Sequence, residues 1–295
     1  NADALKPSPS QNQVLVEVRA ASLNPFDGQV RAGYMKDAAP LSFPVTLGGD
    51  FAGVVSELGE DISHLKVGDE VYGSVLVFTG GSGGFAEYAS ANAENVALKP
   101  KAVDFYEAAA IPLVGSSAVQ ALEEHMKLKA GQKVLIHGGA GGIGHVAIQV
   151  AKAIGAHVAT TVSADDTDFV KSLGADEVID YKSEKFEERL KDFDAVFDTV
   201  GGKTTDESFL VLKKGGVLVS MLGAPNPELA KKHGVTVIGQ STKTNTAHLD
   251  QLRELVDSDK IKIQVDKIFP LEEAQEAFTY LEGGRTRGKV VLRVK

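Results

Sequence analysis

A glycine-rich segment at residues 138–144 constrains the fold of this chain more than any other feature of its sequence. The segment reads Gly-Gly-Ala-Gly-Gly-Ile-Gly. An apolar strand is predicted just before it, at 134–137, and an amphipathic helix just after it, at 145–154. A further strand predicted at 157–162 completes a β-α-β unit. Because parallel strands need a long crossover connection, this pattern predicts a parallel sheet with helices packed on it.

The glycines of this segment have separate physical roles in a loop that binds a dinucleotide. Gly139, Gly141 and Gly144 fit the pattern G-x-G-x-x-G. The first glycine permits a tight turn, the second lets the backbone approach a pyrophosphate, and the third lets the helix pack close to the strand. The helix N-terminus offers N–H groups and a positive dipole end to the phosphates. The segment therefore predicts a dinucleotide site, and the alternative is a glycine-rich turn that binds nothing.

The residue after the second strand distinguishes NADP from NAD. An NAD site carries an acidic residue there, which bonds the ribose hydroxyls, whereas this chain has Ser163. A hydroxyl can donate to a phosphate and brings no repelling charge, so NADP is favoured. Asp165 and Asp166 keep the alternative open, since either becomes the acid if the strand ends two residues later. Tyr181 and Lys182, after the third predicted strand, are candidates for the same phosphate, and the alternative for Lys182, which the sequence favours, is a solvated surface lysine.

The predicted secondary structure changes in character near residue 105. Residues 10–100 read as short strands broken by Gly, Pro and Asn, among them a half-buried strand at Gln13–Arg19 and an extended segment at Phe85–Ala89. Strands and helices alternate beyond residue 105, and the tail contains an amphipathic helix predicted at Leu271–Leu281. An α/β protein with a separate β-rich part is therefore expected.

Composition excludes several classes of partner and site. The chain has 31 Lys and Arg against 40 Asp and Glu, a net charge of −9, which argues against nucleic acid and anionic membrane surfaces. No apolar run approaches the roughly 18 residues that a membrane span needs. The chain contains no cysteine, so disulfides, thiolate zinc sites and cysteine nucleophiles are impossible. We expect a cytoplasmic protein.

Further segments resemble the medium-chain dehydrogenase/reductase superfamily, in its zinc-free quinone oxidoreductase and enone reductase branch. The resemblance runs from Val14 to Val294 and includes Leu-Gly-Gly-Asp-Phe-Ala-Gly-Val-Val at 47–55 and Asp-Thr-Val-Gly-Gly at 198–202. The other matching segments are 21–27, 67–72, 84–88, 138–144, 173–176 and 288–292.

The resemblance implies two domains. A GroES-like β domain would comprise residues 1–110 and 246–295, and a Rossmann domain, a doubly wound parallel sheet, would comprise 111–245. The cofactor, NADP(H), would lie in the cleft. Relatives pair the edge strand of the Rossmann sheet, which Val235–Ile238 resembles here, so a homodimer is expected.

The resemblance also bears on the metal. Zinc-dependent relatives carry a Cys and a Gly-His-Glu motif, whereas this chain has Gly49-Asp50 and its seven histidines show no ligand spacing. We therefore expect no metal, and we expect no alcohol oxidation that relies on zinc. Hydride transfer from NADPH to a quinone or to the C=C bond of an α,β-unsaturated carbonyl needs only a hydrogen-bond donor at the carbonyl oxygen.

Several residues acquire site roles from the resemblance. Asn24 and Asp27 would line the floor of the cleft and Tyr34 would lie in the active-site tyrosine region, although some relatives carry an earlier tyrosine where this chain has Gln29. Their plain alternatives are a turn residue before a proline for Asn24 and a half-buried loop residue for Tyr34. The expected cofactor contacts are Gly139, Ala140, Gly141, Gly142, Ile143, Gly144, Ser163, Tyr181, Ser117 and Val200.

Other expectations from the resemblance have an alternative or a departure from the relatives. Ser117 stands where many relatives use Thr near the nicotinamide ribose, and its alternative is a helix N-cap. Relatives often place a Lys after the second strand, where this chain has Asp166. The apolar wall of the pocket would come from Phe26, Tyr34, Phe43 and Phe78, each of which is alternatively core.

Two other functions stay open beside the quinone or enone reductase. One is an NADPH-dependent reductase of a specific metabolite. The other is a sensor that binds NADPH without turnover.

Overall fold

The computed structural model describes residues 5–37 and 39–295. These residues form two compact units. The first unit comprises the chain up to Ser116 together with Thr244–Asp259 and Ile263–Lys295, and the second comprises Ser117–Lys243 and Lys260–Lys262. The chain passes between them after residues 116 and 243, where the sequence placed domain boundaries after 110 and 245.

The N-terminal part of the chain forms most of the first unit. Its strand at residues 13–22 carries Val14, Val16 and Val18 into the core, yet Leu15 is buried as well. Both faces of the strand are therefore covered, more completely than its alternating pattern predicted. The elements are β1 (Gln13–Ser22), α1 (Pro25–Arg31), β2 (Asp50–Leu58), β3 (Glu70–Ser74), β4 (Tyr88–Asn92), β5 (Val96–Leu98), α2 (Phe105–Ala109) and α3 (Pro112–Val119).

The second unit is a six-stranded sheet in which neighbouring strands are parallel. The elements are β6 (Lys133–His137), α4 (Gly142–Ile154), β7 (His157–Val162), α5 (Thr167–Ser172), β8 (Glu177–Asp180), α6 (Phe186–Arg189), β9 (Phe193–Asp198), α7 (Lys203–Ser208), β10 (Leu212–Ser220), α8 (Pro227–His233) and β11 (Thr236–Gly239). The strand order is β11-β10-β9-β6-β7-β8. The predicted α/β Rossmann class is confirmed, and the order reverses at β6, where such sheets bind ligands at the strands' carboxyl ends.

The C-terminal part of the chain returns to the first unit. It contributes α9 (Thr246–Asp257), β12 (Val265–Pro270), α10 (Ala274–Glu282) and β13 (Lys289–Arg293). The sheet order is β12-β13-β1-β2-β3-β5, with β4 also paired to β1. Both β2 and β13 run antiparallel to β1. The carboxyl end of β1 therefore meets the amino ends of β2 and β13, which brings three distant stretches of sequence together.

Some predicted bounds are wrong, and α4 shows the physical reason. This helix begins at Gly142, not at His145. The last glycine of the loop lies in its first turn, and the position requires glycine because a Cβ on Gly144 would stand 2.1 Å from the carbonyl oxygen of Gly138. The segment predicted at 85–89 forms its strand three residues later, as β4. No helix in the described part of the chain is long and apolar enough to cross a membrane.

Candidate active site

The glycine loop leaves β6 through a left-handed residue. That residue is Gly138, with φ of +71°, whereas the sequence assigned the tight turn to Gly139. Position 139 requires glycine for a different reason: a Cβ there would lie 2.1 Å from Oγ1 of Thr160 on β7. Gly138 supplies the turn because only glycine adopts this conformation without a steric penalty.

The helix start after the loop has the geometry of an anion site. Gly141 is the N-cap of α4, and its carbonyl oxygen lies 3.0 Å from Nδ1 of the buried His145. The first-turn N–H groups, which include those of Gly142 and Ile143, have no acceptor inside a helix by helix geometry. Ala140 is buried beside them. The loop therefore presents backbone donors and a helix dipole to a phosphate.

The proposed 2′-phosphate residues meet at the neighbouring strand ends. β7 ends at Val162, so Ser163 is the first residue beyond the strand, as predicted. The Ser163 hydroxyl donates to a carboxylate oxygen of Asp166 at 3.0 Å. The backbone N–H of Tyr181 donates to the carbonyl of Val162 at 3.1 Å, and Nζ of Lys182 lies 5.9 Å from the Tyr181 ring centroid.

This geometry bears on the acidic alternative. Asp165 lies in a short 3-10 turn at Ala164–Asp166 rather than at a strand end. Asp166 is the N-cap residue of α5. The two carboxylates therefore lie where a helix dipole favours negative charge, which was their plain interpretation. Lys182 follows β8, so the cation nearest in sequence to Tyr181 comes from the end of β8 rather than β7.

A buried carboxylate that the sequence analysis gave no role fixes the loop after β9. One Asp198 oxygen accepts the backbone N–H groups of Val200 and Gly201 at 2.9 Å each. The other accepts the hydroxyls of Thr205 at 2.5 Å and Ser220 at 3.1 Å. A strand that ends in Asp before Thr-Val-Gly-Gly was the sequence signal for this anchor.

The same loop brings Val200 to the glycine loop. Its Cγ2 atom lies 3.3 Å from where a Cβ on Gly138 would stand. The Thr199 hydroxyl donates to the carbonyl of His137 at 2.7 Å. Val200 is exposed, so its side chain is accessible beside the loop that would hold the pyrophosphate.

His137 itself is a packing residue at the end of β6. Its ring nitrogens lie 3.0 Å from the hydroxyls of Thr161 and Ser208. Burial lowers the pKa of His137 to about 4, so the imidazole is neutral at pH 7.

Ser117 is a buried residue of α3, so its interpretation as a helix N-cap is wrong. Its hydroxyl lies 2.7 Å from the hydroxyl of Thr242, and its carbonyl accepts from Nε2 of Gln240 at 3.0 Å. These bonds tie α3 to the segment that follows β11.

In the first unit, four polar side chains form a buried cluster at the end of β1. We define the Asn24 cluster as Asn24, Asp27, Asp50 and Lys289, all of them buried. The Asn24 amide donates from Nδ2 to Asp50 Oδ2 at 2.9 Å, and its Oδ1 accepts from Nζ of Lys289. Asp27, in the first turn of α1, accepts the backbone N–H of Asn24 at 2.8 Å. The predicted pair Asn24 and Asp27 is thus brought together.

The charges of the Asn24 cluster are strongly perturbed. Burial raises the pKa of Asp27 to about 7; the nearby Asp50 contributes to the rise, and the backbone N–H groups of Asn24 and Gly49 and the ammonium of Lys289 oppose it. Burial also raises the pKa of Asp50 and lowers the pKa of Lys289, and each partner opposes the effect of burial on the other. One ammonium faces two carboxyl groups, so it can neutralise only one of them.

The remaining residues expected at the site differ in their exposure and contacts. Tyr34 follows α1, is 77% exposed, and makes no described hydrogen bond to Asn24 or Asp27. Phe26 and Phe78 pack edge to face, with ring centroids 6.0 Å apart. Phe43 is exposed and does not belong to the core. Of the four residues expected in an apolar wall, the structure joins this one pair.

The donor set does not fit a zinc ion. Among residues 5–37 and 39–295, no three His, Asp or Glu side chains come close enough to hold a metal, and the chain has no cysteine. A Cβ on Gly49 would lie 2.9 Å from Cδ2 of Leu76 and 3.9 Å from Oδ1 of Asp27. A histidine at position 49 would therefore require Leu76 to move.

Comparison with known proteins identifies the family. The Alcohol dehydrogenase GroES-like domain matches residues 10–101, and the Zinc-binding dehydrogenase family matches residues 173–292. The 2-methylene-furan-3-one reductase of Solanum lycopersicum is 39% identical, over 97% of this chain and 73% of its own length. The chain belongs to the medium-chain dehydrogenase/reductase superfamily.

Two further relatives place this superfamily member among quinone and enone reductases. The chloroplastic NADPH-dependent alkenal/one oxidoreductase of Arabidopsis thaliana is 38% identical, over 97% of this chain and 73% of its own length. The structure of the Escherichia coli quinone oxidoreductase complexed with NADPH has a TM-score of 0.87 and 31% identity, covering 99% of this chain and 94% of that one. The family resemblance of the sequence is confirmed.

Proposed function

We propose that this superfamily member transfers hydride from NADPH to a quinone or to the C=C bond of an α,β-unsaturated carbonyl, and that it does so without zinc. The observation that carries the proposal is the Asn24 cluster: it holds a buried amide donor beside Gly49, the position where the resemblance expects the histidine of zinc-dependent relatives. The names of the tomato and Arabidopsis relatives describe the same reaction class.

The cofactor half of the proposal rests on the second unit. The backbone donors at the start of α4 would bind the pyrophosphate, and Val200 would contact the cofactor beside Gly138. Ser163, Tyr181 and Lys182 would bind the 2′-phosphate, which favours NADPH over NADH. Ser117 would reach the nicotinamide ribose through its hydroxyl. When bound, the nicotinamide supplies the hydride.

The acceptor half rests on the first unit. Reduction of an enone adds a hydride to the β-carbon and a proton to the α-carbon, and negative charge develops on the carbonyl oxygen in between. An N–H of Asn24 would donate to that oxygen. Asp27 would be protonated below about pH 7, so it would place no negative charge beside the developing oxyanion.

The test is NADPH oxidation followed at 340 nm, with EDTA present and NADH as the comparison. The acceptors are 1,4-benzoquinone, 9,10-phenanthrenequinone, acrolein and a longer 2-alkenal. We expect turnover with NADPH that EDTA leaves unchanged, and a loss of about 100-fold in kcat for Asn24→Ala, the usual effect of removing one oxyanion donor. NADPH binding without turnover of any acceptor would refute the reductase and support the sensor.

The assembly and location are further parts of this proposal. β11 is an edge strand, so its outer backbone groups are open to pairing with a second copy. We propose a homodimer through β11, which light scattering of the purified protein would test, with Val237→Pro expected to yield monomers. We also propose a cytoplasmic location, supported by the absence of cysteine; tagging in cells would test it.

A further inference from the structure

Lys289, on the last strand, belongs to the Asn24 cluster but has no role in the hydride transfer proposed above. Lys289 begins β13 and is 3% exposed. Its ammonium donates to the carbonyl of Leu23 at 2.8 Å and to Oδ1 of Asn24, and it lies 3.9 Å from Oδ2 of Asp50. A buried ammonium destabilises a protein unless it is paired and hydrogen-bonded. Packing alone therefore does not account for a lysine at this position.

The contacts of Asn24 determine which way its amide points. An ammonium has only donors, so the atom that faces Lys289 must be the amide oxygen. The carboxylate of Asp50 has only acceptors, so the atom that faces it must be the amide nitrogen. Reversing the amide would set N–H against the ammonium and oxygen against the carboxylate. Two opposite charges thus hold the side chain in one orientation from both ends.

In this orientation, one of the two N–H groups of the Asn24 side-chain amide has no described acceptor. The Asn24 nitrogen carries two hydrogens, and a single acceptor, Asp50, contacts it among the described residues. The second N–H therefore has no acceptor among the described residues. Its direction depends on the oxygen of the same amide being held in place.

We propose that Lys289 is a positioning residue that orients the Asn24 amide so that its second N–H donates to the carbonyl oxygen of the acceptor. The inference rests on the proposed function and names a residue that acts through Asn24. Lys289 itself touches neither the acceptor nor the cofactor in this account. Its bond to Leu23 also fixes the backbone from which Asn24 projects.

Loss of the ammonium removes the orientation in two ways. In Lys289→Met, the amide oxygen loses its donor. Asp50 also loses its cation and takes up a proton, and a protonated carboxyl can donate to oxygen as well as accept from nitrogen. Both orientations of the amide then become available, so the second N–H is no longer held toward the acceptor.

A double-mutant cycle tests the proposal. The variants are Lys289→Met, Asn24→Ala and the two together, each assayed for kcat, for KM of the acceptor and for NADPH Kd by fluorescence. We expect Lys289→Met to lower kcat by about 10- to 100-fold in the wild-type background and by less than about 2-fold in the Asn24→Ala background. NADPH Kd should stay within about 2-fold throughout. Additive losses would overturn the proposal.

Two matched variants separate positioning from stability. Lys99→Met removes a lysine of the first unit whose side chain is 7% exposed and pairs with Glu70 at 3.4 Å, and whose ammonium donates to the carbonyls of Pro100 and Val103; it should leave kcat unchanged. Lys289→Gln keeps an N–H donor for the Asn24 oxygen and should recover at least part of the kcat lost in Lys289→Met. Equal loss in the Gln and Met variants would contradict the proposal.

A measurement without turnover keeps this inference distinct from the proposed function. In an amide 15N spectrum, the Asn24 side chain is assigned by its disappearance in Asn24→Ala. We expect one slowly exchanging pair of N–H signals in the wild type, and faster exchange or doubled signals in Lys289→Met. An unchanged pair in Lys289→Met refutes the positioning role, whereas absent turnover in the wild type refutes only the reductase.

Discussion

Replacing Asp198 tests whether its carboxylate holds the loop beside the proposed cofactor site. The carboxylate accepts two backbone N–H groups on one oxygen and two hydroxyls on the other. In Asp198→Ala the two buried hydroxyls of Thr205 and Ser220 lose their acceptor, and the half-buried N–H groups lose theirs as well. Each buried donor left without a partner costs about 1–3 kcal/mol, so the free energy of unfolding should fall by about 2–6 kcal/mol.

Asp198→Asn should be far milder, and the structure gives the reason. The amide oxygen can take the place that faces the backbone N–H groups of Val200 and Gly201. The amide nitrogen then faces the hydroxyls of Thr205 and Ser220, and a hydroxyl can accept as well as donate. We expect a loss of less than about 1.5 kcal/mol, close to the value of one ordinary hydrogen bond.

Urea denaturation and NADPH fluorescence titration measure the two effects. The NADPH Kd should rise by at least about 10-fold in Asp198→Ala, since about 1.4 kcal/mol of loop ordering corresponds to that factor, and by less than about 3-fold in Asp198→Asn. Equal losses of stability in the two variants would refute the reasoning, because they would show that the negative charge and not the acceptor geometry holds the loop.

Three further predictions follow from the site. Lys182→Ala should raise NADPH Kd by roughly 5-fold and leave NADH Kd unchanged, as expected for an exposed cation worth roughly 1 kcal/mol, measured by fluorescence titration. Burial raises the pKa of Asp27 to about 7 from an ordinary 3.8, so the native state holds this proton over a wider pH range than the unfolded state. Its contribution to stability is full below about pH 4 and declines by up to about 4 kcal/mol as pH rises to 7. The difference in the free energy of unfolding between the wild type and Asp27→Asn, measured by urea denaturation at several pH values, should show this decline. Gly144→Ala should cost about 1–3 kcal/mol or more, since its Cβ would stand 2.1 Å from a backbone oxygen, whereas Gly141→Ala at 3.3 Å should cost less.

Each of these has a contrary outcome. An equal rise in NADH Kd would remove Lys182 from the 2′-phosphate site. If the free energy of unfolding changed with pH equally in the wild type and in Asp27→Asn, the Asp27 carboxyl would not have the raised pKa that its burial implies. Similar stability for the Gly144 and Gly141 variants would show that the loop relaxes freely around the added methyl group.

The elements around the proposed cofactor site could be predicted because their information is local. The glycine loop, Ser163 and Tyr181 each lie within a few residues of a strand end, and strand ends follow from short apolar runs. The error at Gly138 was one residue within that loop. It arose because the pattern G-x-G-x-x-G does not show which glycine takes the positive φ.

The catalytic candidates were harder to predict because they depend on exposure and on distant contacts. Asn24 and Asp27 are close in sequence, and the structure joins them. Tyr34 was expected by resemblance, yet it is one of the most exposed aromatic residues. No local pattern distinguishes a loop tyrosine that packs on a site from one that faces solvent.

By itself, the sequence determined the β-α-β unit, the glycine loop and the absence of thiolate ligands, since each is a property of consecutive residues or of composition. Only the tertiary structure decided that Lys289 and Asn24, 265 residues apart, share a hydrogen bond, and that Asp27 keeps its proton near neutral pH. The physical reason is that antiparallel pairing brings three strand ends together out of water. Desolvation and Coulomb interactions there depend on what surrounds a group in space, not on what precedes it along the chain.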